Sequence, residues 1–89
     1  MKVRKHIYFS GRVQGVGFRY SAVYLAKPLD LTGWVKNLWD GRVEMEVQGP
    51  EDAIREMLAE LRTDTYIRIE HTEIIDKPFI KESRFTMLY

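Results

Sequence analysis

The sequence predicts an α+β fold in which two helices pack on one face of an antiparallel sheet, in the order βαββαβ with a short extra strand at the C-terminus. Three observations lead to this prediction. Polar and apolar residues alternate in segments of strand length, apolar residues recur at intervals of three and four in two other segments, and an Asp-Gly pair separates the second strand from the third.

The first strand and the first helix follow from residues 3–29. Residues 3–10 (VRKHIYFS) are rich in β-branched and aromatic side chains, and Ile7 and Phe9 are expected on the core face. One face of the helix that follows carries Phe18, Ala22, Leu25 and Leu29. Pro28 is expected to end this helix, because proline lacks an N–H group and disfavours the helical conformation of the preceding residue, Lys27.

The rest of the chain predicts a hairpin, a second helix and two strands. LTGWVKNLW and RVEMEVQ flank Asp40-Gly41, a pair typical of a type I′ turn. Pro50-Glu51-Asp52 starts the second helix. The buried stripe of this helix is predicted to be Ile54, Met57, Leu58 and Leu61, and strands are predicted from Arg68 to Ile75 and from Arg84 to Tyr89. Two β-α-β units around a central hairpin form a split βαβ, or ferredoxin-like, sandwich.

Length and composition indicate one globular unit. The chain has 89 residues, of which 45% are hydrophobic and 30% charged, so we expect a single domain over residues 1–89. The absence of cysteine excludes disulfides, thiolate metal sites and cysteine nucleophiles. The apolar run at residues 7–9 is too short for a signal peptide, and no stretch has the length of a membrane span. We therefore expect a cytoplasmic protein.

The net charge of +1 conceals an asymmetry along the chain. Residues 1–29 contain six basic residues and no acidic one, whereas residues 30–89 contain the other eight basic residues and all thirteen acidic ones, which gives about −5. The N-terminal third is therefore expected to attract anions. The alternative is that its basic side chains face water or pair with acidic residues of a neighbouring strand.

The stretch SGRVQGVGFRYS places three glycines and two arginines between the first strand and the first helix. Backbone amides around Gly15 to Arg19 can converge at the helix N-terminus, where unpaired N–H groups and the helix dipole favour an anion. Arg19 adds a planar guanidinium that suits phosphate. These features predict a phosphate cradle, and a tight turn without a ligand is the alternative. The stretch has the spacing of neither a nucleotide P-loop nor a dinucleotide fingerprint.

GRVQGVGFRYS and LTGWVKNLWDGRVEMEVQGP resemble the two signature regions of the acylphosphatases, small enzymes that hydrolyse the mixed anhydride of a carboxylic acid and phosphate. The resemblance runs essentially from end to end and implies a ferredoxin-like fold. It implies that Arg19 binds the phosphate and that Asn37 orients the water. It also implies a phosphate-binding loop made of Gln14, Gly15, Val16, Gly17 and Phe18.

The same resemblance implies a reaction and its participants. A small-molecule acyl phosphate is expected to react with water to give a carboxylate and inorganic phosphate, with no metal or cofactor. Because the cradle binds product as well as substrate, inorganic phosphate is expected to inhibit competitively. We expect a monomer with neither a membrane nor a nucleic acid as partner.

Several candidate residues also have structural explanations. Asn37, on the strand face of Gly33 and Val35, is suited to accept from water, but an asparagine there can equally cap the hairpin. The other candidates are expected to be exposed histidines (His6 and His71), packing tryptophans (Trp34 and Trp39) and glutamates on a solvated sheet face (Glu44 and Glu46). A non-catalytic binding module of the same fold is the alternative function, and the Arg19–Asn37 pair is the feature that only the phosphatase requires.

Three features depart from the common pattern of the family, and one of them is that Pro28 sits unusually close to the end of the first helix. Asp30 stands where many relatives have glycine, so a left-handed helix cap there is expected to be strained. Leu38 and Trp39 replace smaller or polar residues after the asparagine, which is expected to affect access to the site more than its chemistry.

Overall fold

The computed structural model describes all 89 residues, Met1–Tyr89. Its elements, in chain order, are β1 (Lys2–Arg12), α1 (Phe18–Ala26), β2 (Thr32–Asn37), β3 (Val43–Pro50), α2 (Glu51–Thr63), β4 (Arg68–Lys77) and β5 (Phe85–Met87). This order confirms the predicted ferredoxin-like α+β fold with an added C-terminal strand. Neither helix has the length and apolar character needed to cross a membrane.

The five strands form one sheet in the order β4-β1-β3-β2-β5. The four strands of the βαββαβ unit pair antiparallel, as predicted. The short β5 pairs in parallel with β2, so the complete sheet is mixed rather than purely antiparallel. β1 and β3 lie at the centre of the sheet, and the chain between β1 and α1 therefore leaves from a central strand.

The hydrophobic core lies between the helices and one face of the sheet. Ile7 and Phe9 of β1 are completely buried, as are Val43, Met45 and Val47 of β3, and this alternation fits strands with one buried face. The predicted stripe of α2 is buried at all four positions. On α1, Phe18, Ala22 and Ala26 are buried, and Leu25 is only partly buried against the core. Leu29, predicted on the same helical face, lies beyond the end of α1 in the following turn and is also partly buried.

The β2–β3 hairpin has a three-residue loop, Trp39-Asp40-Gly41, instead of the predicted two-residue type I′ turn. The amide of Leu38 donates to the carbonyl of Arg42, and the amide of Gly41 donates to the carbonyl of Leu38. Gly41 has φ +97°, but Asp40 has no positive φ, which type I′ would require. Trp39 lies at the tip with 97% of its surface exposed, so the expectation that it packs in the sandwich is wrong.

Helix α1 ends in a Schellman motif centred on Asp30. The amide of Leu31 donates to the carbonyl of Ala26, and that of Asp30 donates to the carbonyl of Lys27. Asp30, with φ +56°, is the one non-glycine residue with positive φ, which is the left-handed conformation expected there. Lys27 keeps helical angles (φ −61°, ψ −56°), so the expectation that Pro28 displaces it is wrong.

The face of the sheet away from the helices is crossed by residues 78–84, which join β4 at one edge to β5 at the other. The Gln48 amide exchanges two hydrogen bonds with the backbone of Ile80, and Arg4 donates to Glu82 at 2.8 Å. This crossing segment helps to bury Arg4, which is only 3% exposed.

His6 lies on this same face and is 9% exposed, so the expectation of an exposed histidine is wrong for it. Its two ring nitrogens contact Glu44 and Glu46, and Arg4 also pairs with Glu46. These contacts replace the solvated glutamate face expected from the sequence. Part of the basic charge of the N-terminal third is thereby neutralised by a neighbouring strand, which was the alternative to an anion site.

Candidate active site

The loop between β1 and α1 presents backbone N–H groups that no other protein group uses. The amides of Gly15, Val16 and Gly17 make no hydrogen bond to the backbone, and neither do those of Phe18 and Arg19 in the first turn of α1. Gly15 and Gly17 have φ of +72° and +81°, and Gly17 is the N-cap residue without a side-chain cap. Positive φ at these two glycines lets the loop turn into the N-terminus of α1, where the first N–H groups of the helix have no partner.

Arg19 lies in the first turn of α1 and is held by the C-terminal residues. Its Nη1 donates to the carbonyl oxygen of Leu88 at 2.9 Å, and its guanidinium carbon lies 5.1 Å from the centre of the Tyr89 ring. Arg19 forms no ion pair with an acidic residue. One side of the guanidinium is thus fixed against the chain, while its charge stays uncompensated.

Asn37 is the last residue of β2, and its side chain is half-buried. Its Oδ1 atom is fully buried and accepts no hydrogen bond from the protein. Burying an acceptor without a donor costs about 1–3 kcal/mol. An unpaired acceptor of this kind at the end of a strand is suited to accept a hydrogen bond from a ligand.

Gln14 connects the loop to the base of the β2–β3 hairpin. Its Nε2 donates to the carbonyl oxygens of Leu38 and Arg42 at 2.7 and 2.9 Å. Both protons of the amide nitrogen are therefore committed to the backbone that directly follows Asn37 and directly precedes β3. This double hydrogen bond fixes the loop beside Asn37.

A small cavity of about 150 Å³ brings the predicted residues together. Its lining consists of Val13, Gly15, Gly17, Phe18, Arg19, Tyr20 and Asn37. Gln14 and Val16 do not line it. The Phe18 side chain is buried against Phe9, with ring centroids 4.8 Å apart, so only its backbone can serve a ligand.

The cavity is electropositive and carries few other polar side chains. Arg19 supplies its one full charge, and the free loop amides add partial positive charge at the helix N-terminus. Asn37 supplies an acceptor. The arrangement suits a small anion, such as phosphate, next to the loop amides and Arg19. It also suits a neutral hydrogen-bond donor, such as water, next to Asn37.

Sequence reasoning missed three contributors to this site. Tyr20 lines the cavity, and its position next to Arg19 was the only signal for it. Leu88 and Tyr89 hold Arg19 from the opposite end of the chain, and no local pattern connects them to the loop.

Comparisons with known proteins agree on one family. The family model Acylphosphatase matches residues 5–87. A protein named Acylphosphatase from Bifidobacterium longum (strain NCC 2705) is 44% identical over 82 residues, which cover 91% of this chain and 84% of that protein. An Acylphosphatase from Geobacillus thermodenitrificans (strain NG80-2) is 41% identical over 88 residues, with 97% and 94% covered.

A solved structure shows the same fold throughout. The crystal structure of acylphosphatase from Bacillus subtilis superposes with a TM-score of 0.89 and 34% identity, and the match covers 100% of both chains. The likeness includes every element that borders the cavity.

Proposed function

This chain belongs to the acylphosphatase family, whose members hydrolyse acyl phosphates, and we propose that it does so by attack of a water molecule oriented by Asn37 on a phosphate held by Arg19 and the loop amides. One observation carries this proposal. A single small cavity is lined by Arg19, by Gly15 and Gly17 of the loop, and by Asn37, whose Oδ1 has no protein partner. We further propose that residues 1–89 act as one domain, because the family model spans nearly all of them.

The loop amides and Arg19 bind the phosphoryl group. Charge spreads over its three equatorial oxygens in the transition state, and donors that are fixed beforehand stabilise that charge without reorganising. The hydrogen bonds of Gln14 fix the loop, and the hydrogen bond to Leu88 fixes Arg19. In this proposal the phosphoryl group therefore needs no further cation from a side chain.

Asn37 positions the nucleophile. Its Oδ1 accepts one hydrogen bond from a water molecule, which aims a lone pair of the water oxygen at phosphorus in line with the leaving oxygen. An amide is not a base, so its role is orientation. The water oriented by Asn37 approaches phosphorus from one side, and the acyl oxygen leaves from the opposite side.

Because the leaving group is a carboxylate, these few residues are sufficient for hydrolysis. As the water oxygen bonds to phosphorus, the bond from phosphorus to the acyl oxygen breaks and its electron pair stays with the carboxylate. The excess proton of the water goes to the phosphate product or to solvent. Because a carboxylate is a stable anion with a low pKa, the reaction needs no acid to protonate it.

Hydrolysis of benzoyl phosphate tests the proposal. We expect turnover in the presence of EDTA, with inorganic phosphate as a competitive inhibitor, because the same donors bind substrate and product. If the folded protein binds phosphate but never hydrolyses benzoyl phosphate, it is a binding module of this fold and not an enzyme. Loss of activity in EDTA that added metal restores would contradict the metal-free mechanism.

A further inference from the structure

A second groove also borders the loop between β1 and α1. It has a volume of about 820 Å³, and Arg12, Arg62 and Arg68 all line it. Gly15 borders both this groove and the cavity that contains Arg19 and Asn37. A Cβ atom added at Gly15 would meet no atom within 4 Å, so the space beside this shared residue is free of protein atoms.

The three arginines of this groove have no counter-charge within the protein. None of them forms an ion pair or a side-chain hydrogen bond, whereas Arg4 and Arg42 do both. The one acidic residue in the lining is Asp64, whose Oδ1 accepts from the amides of Tyr66 and Ile67. The groove therefore has a net positive charge.

Two of these arginines are placed where they repel each other. Arg12 of β1 lies directly opposite Arg68 of β4 in the antiparallel register. Like charges at directly opposed positions destabilise a sheet. A register shift between Ser10 and Gly11 immediately precedes Arg12, and such irregularities redirect the side chains beside them. An anion held between the two guanidiniums would remove this repulsion.

We propose that this arginine groove binds a second anionic group on the acyl part of the substrate. The preferred substrates are then acyl phosphates whose acyl part carries a carboxylate or a further phosphate. This inference rests on the proposed function, since it places the reacting phosphate in the small cavity and the second anion across Gly15. Arginine is suited to both anions, because its planar group donates two parallel hydrogen bonds to either.

The test compares 4-carboxybenzoyl phosphate with benzoyl phosphate, which differ by one carboxylate. The ratio of their kcat/KM values cancels differences in assay and enzyme concentration. We expect Arg12→Gln and Arg68→Gln each to lower this ratio about 1.5-fold to fivefold, as fits exposed charge pairs. The kcat/KM of each variant for benzoyl phosphate should stay within about twofold of the value for the unmodified protein. Raising the salt concentration should lower the ratio in the unmodified protein but not in a variant that lacks both arginines.

Arg55→Gln is the matched control, because Arg55 is an exposed arginine of α2 that does not line the groove. Its ratio is expected to equal that of the unmodified protein. The same ratio in the unmodified protein and in the Arg12→Gln/Arg68→Gln double variant would overturn the proposal while leaving the proposed hydrolysis intact.

A binding measurement separates this inference from the proposed function. Calorimetry with 4-carboxybenzylphosphonate and benzylphosphonate, which cannot be hydrolysed, reports on the groove even if no turnover occurs. We expect the unmodified protein to bind the carboxylated compound more tightly than benzylphosphonate. The double variant should bind the two compounds with equal affinity. Equal affinity for both compounds in the unmodified protein would overturn the arginine groove. Absence of benzoyl phosphate turnover would count against the proposed function alone.

Discussion

The guanidinium of Arg19 is fixed by the main chain of Leu88, with 2.9 Å between Nη1 and the carbonyl oxygen. The neighbouring Tyr89 ring lies 5.1 Å from the guanidinium carbon. An arginine that is already held in one rotamer loses less side-chain entropy when it binds an anion. Leu88 and Tyr89 therefore hold the proposed phosphate-binding residue in place, although neither of them lines the cavity.

Replacing the ring that covers Arg19 should weaken substrate binding more than turnover. Tyr89→Leu removes the cation–π contact, which is worth about 0.5–1 kcal/mol at an exposed site, so we expect KM for benzoyl phosphate to rise about twofold to fivefold. The hydrogen bond to Leu88 involves the backbone and persists. Steady-state kinetics measures this, with Tyr24→Leu as the control, because Tyr24 is an exposed tyrosine of α1 outside the cavity. An unchanged KM for Tyr89→Leu would show that the ring does not position Arg19.

Asn37→Ala should separate orientation of the water from binding of the phosphate. We expect kcat to fall about 10²- to 10³-fold, the usual effect of losing one fixed polar group, while phosphate affinity measured by calorimetry stays nearly constant. Arg19→Ala should lower both. Asn37→Asp adds an anion beside the phosphate, so binding should weaken as well.

These variants are informative only if they fold. The Oδ1 atom of Asn37 is buried without a protein partner, so Asn37→Ala removes a destabilising group and should not lower the temperature of thermal unfolding. A well-folded Asn37→Ala protein that loses phosphate binding and keeps its kcat would assign Asn37 to substrate binding.

Gln14 should affect both stability and activity. Gln14→Met keeps the length of the side chain but removes two hydrogen bonds to backbone carbonyls, and we expect the free energy of unfolding to fall by about 1–3 kcal/mol. Gln14→Glu should cost more, because a carboxylate would face two carbonyl oxygens. Urea unfolding measures the stability, and kcat for benzoyl phosphate reports whether the loop has moved relative to Asn37. A loss of stability with unchanged kcat would mean that the bridge supports the hairpin alone.

Glu46 should make stability depend on acidity. Burial raises the pKa of Glu46, but hydrogen bonds from His6 and Arg4 outweigh this effect and hold the pKa below its ordinary value of 4.5. The unfolded chain then binds a proton more readily than the folded one, so the stabilisation is complete above pH about 4.5 and disappears as the pH falls through the lower, folded pKa.

Glu46→Gln tests this pH dependence. We expect the variant to be less stable than the unmodified protein in urea at pH 6, and the difference to shrink steadily towards pH 3. Glu56→Gln is the control, since Glu56 lies exposed on α2 and makes no ion pair. A stability difference that is the same at both pH values would mean that Glu46 acts through packing and not through its charge.

The elements of the fold were predictable where one local pattern dominates. The stripe from Ile54 to Leu61 and the alternation around Met45 depend only on which face of an element is buried. The turn at Gly41 was predicted in the wrong form, because Asp-Gly occurs in two-residue and three-residue loops alike. The burial of His6 could not be predicted, since it depends on Glu44 and Glu46 of β3, which lie far from His6 in sequence.

The candidate site was predictable in its residues but not in its support. Arg19 and Asn37 follow from the resemblance to the family, and the structure places them around one cavity. The Gln14 bridge, the Leu88 contact and the Arg12–Arg68 opposition join segments that are distant along the chain. Their discovery therefore required the three-dimensional arrangement.

The strand order has a consequence for the newly synthesised chain. β1 emerges from the ribosome before its two neighbours in the sheet, β3 and β4, which begin only at Val43 and Arg68. At about 5–20 residues per second, the apolar side of β1 waits several seconds for its partners. Each pairing must then close a long loop, which slows folding relative to proteins with local contacts. During that interval the exposed Ile7 and Phe9 are available to chaperones and to other nascent chains.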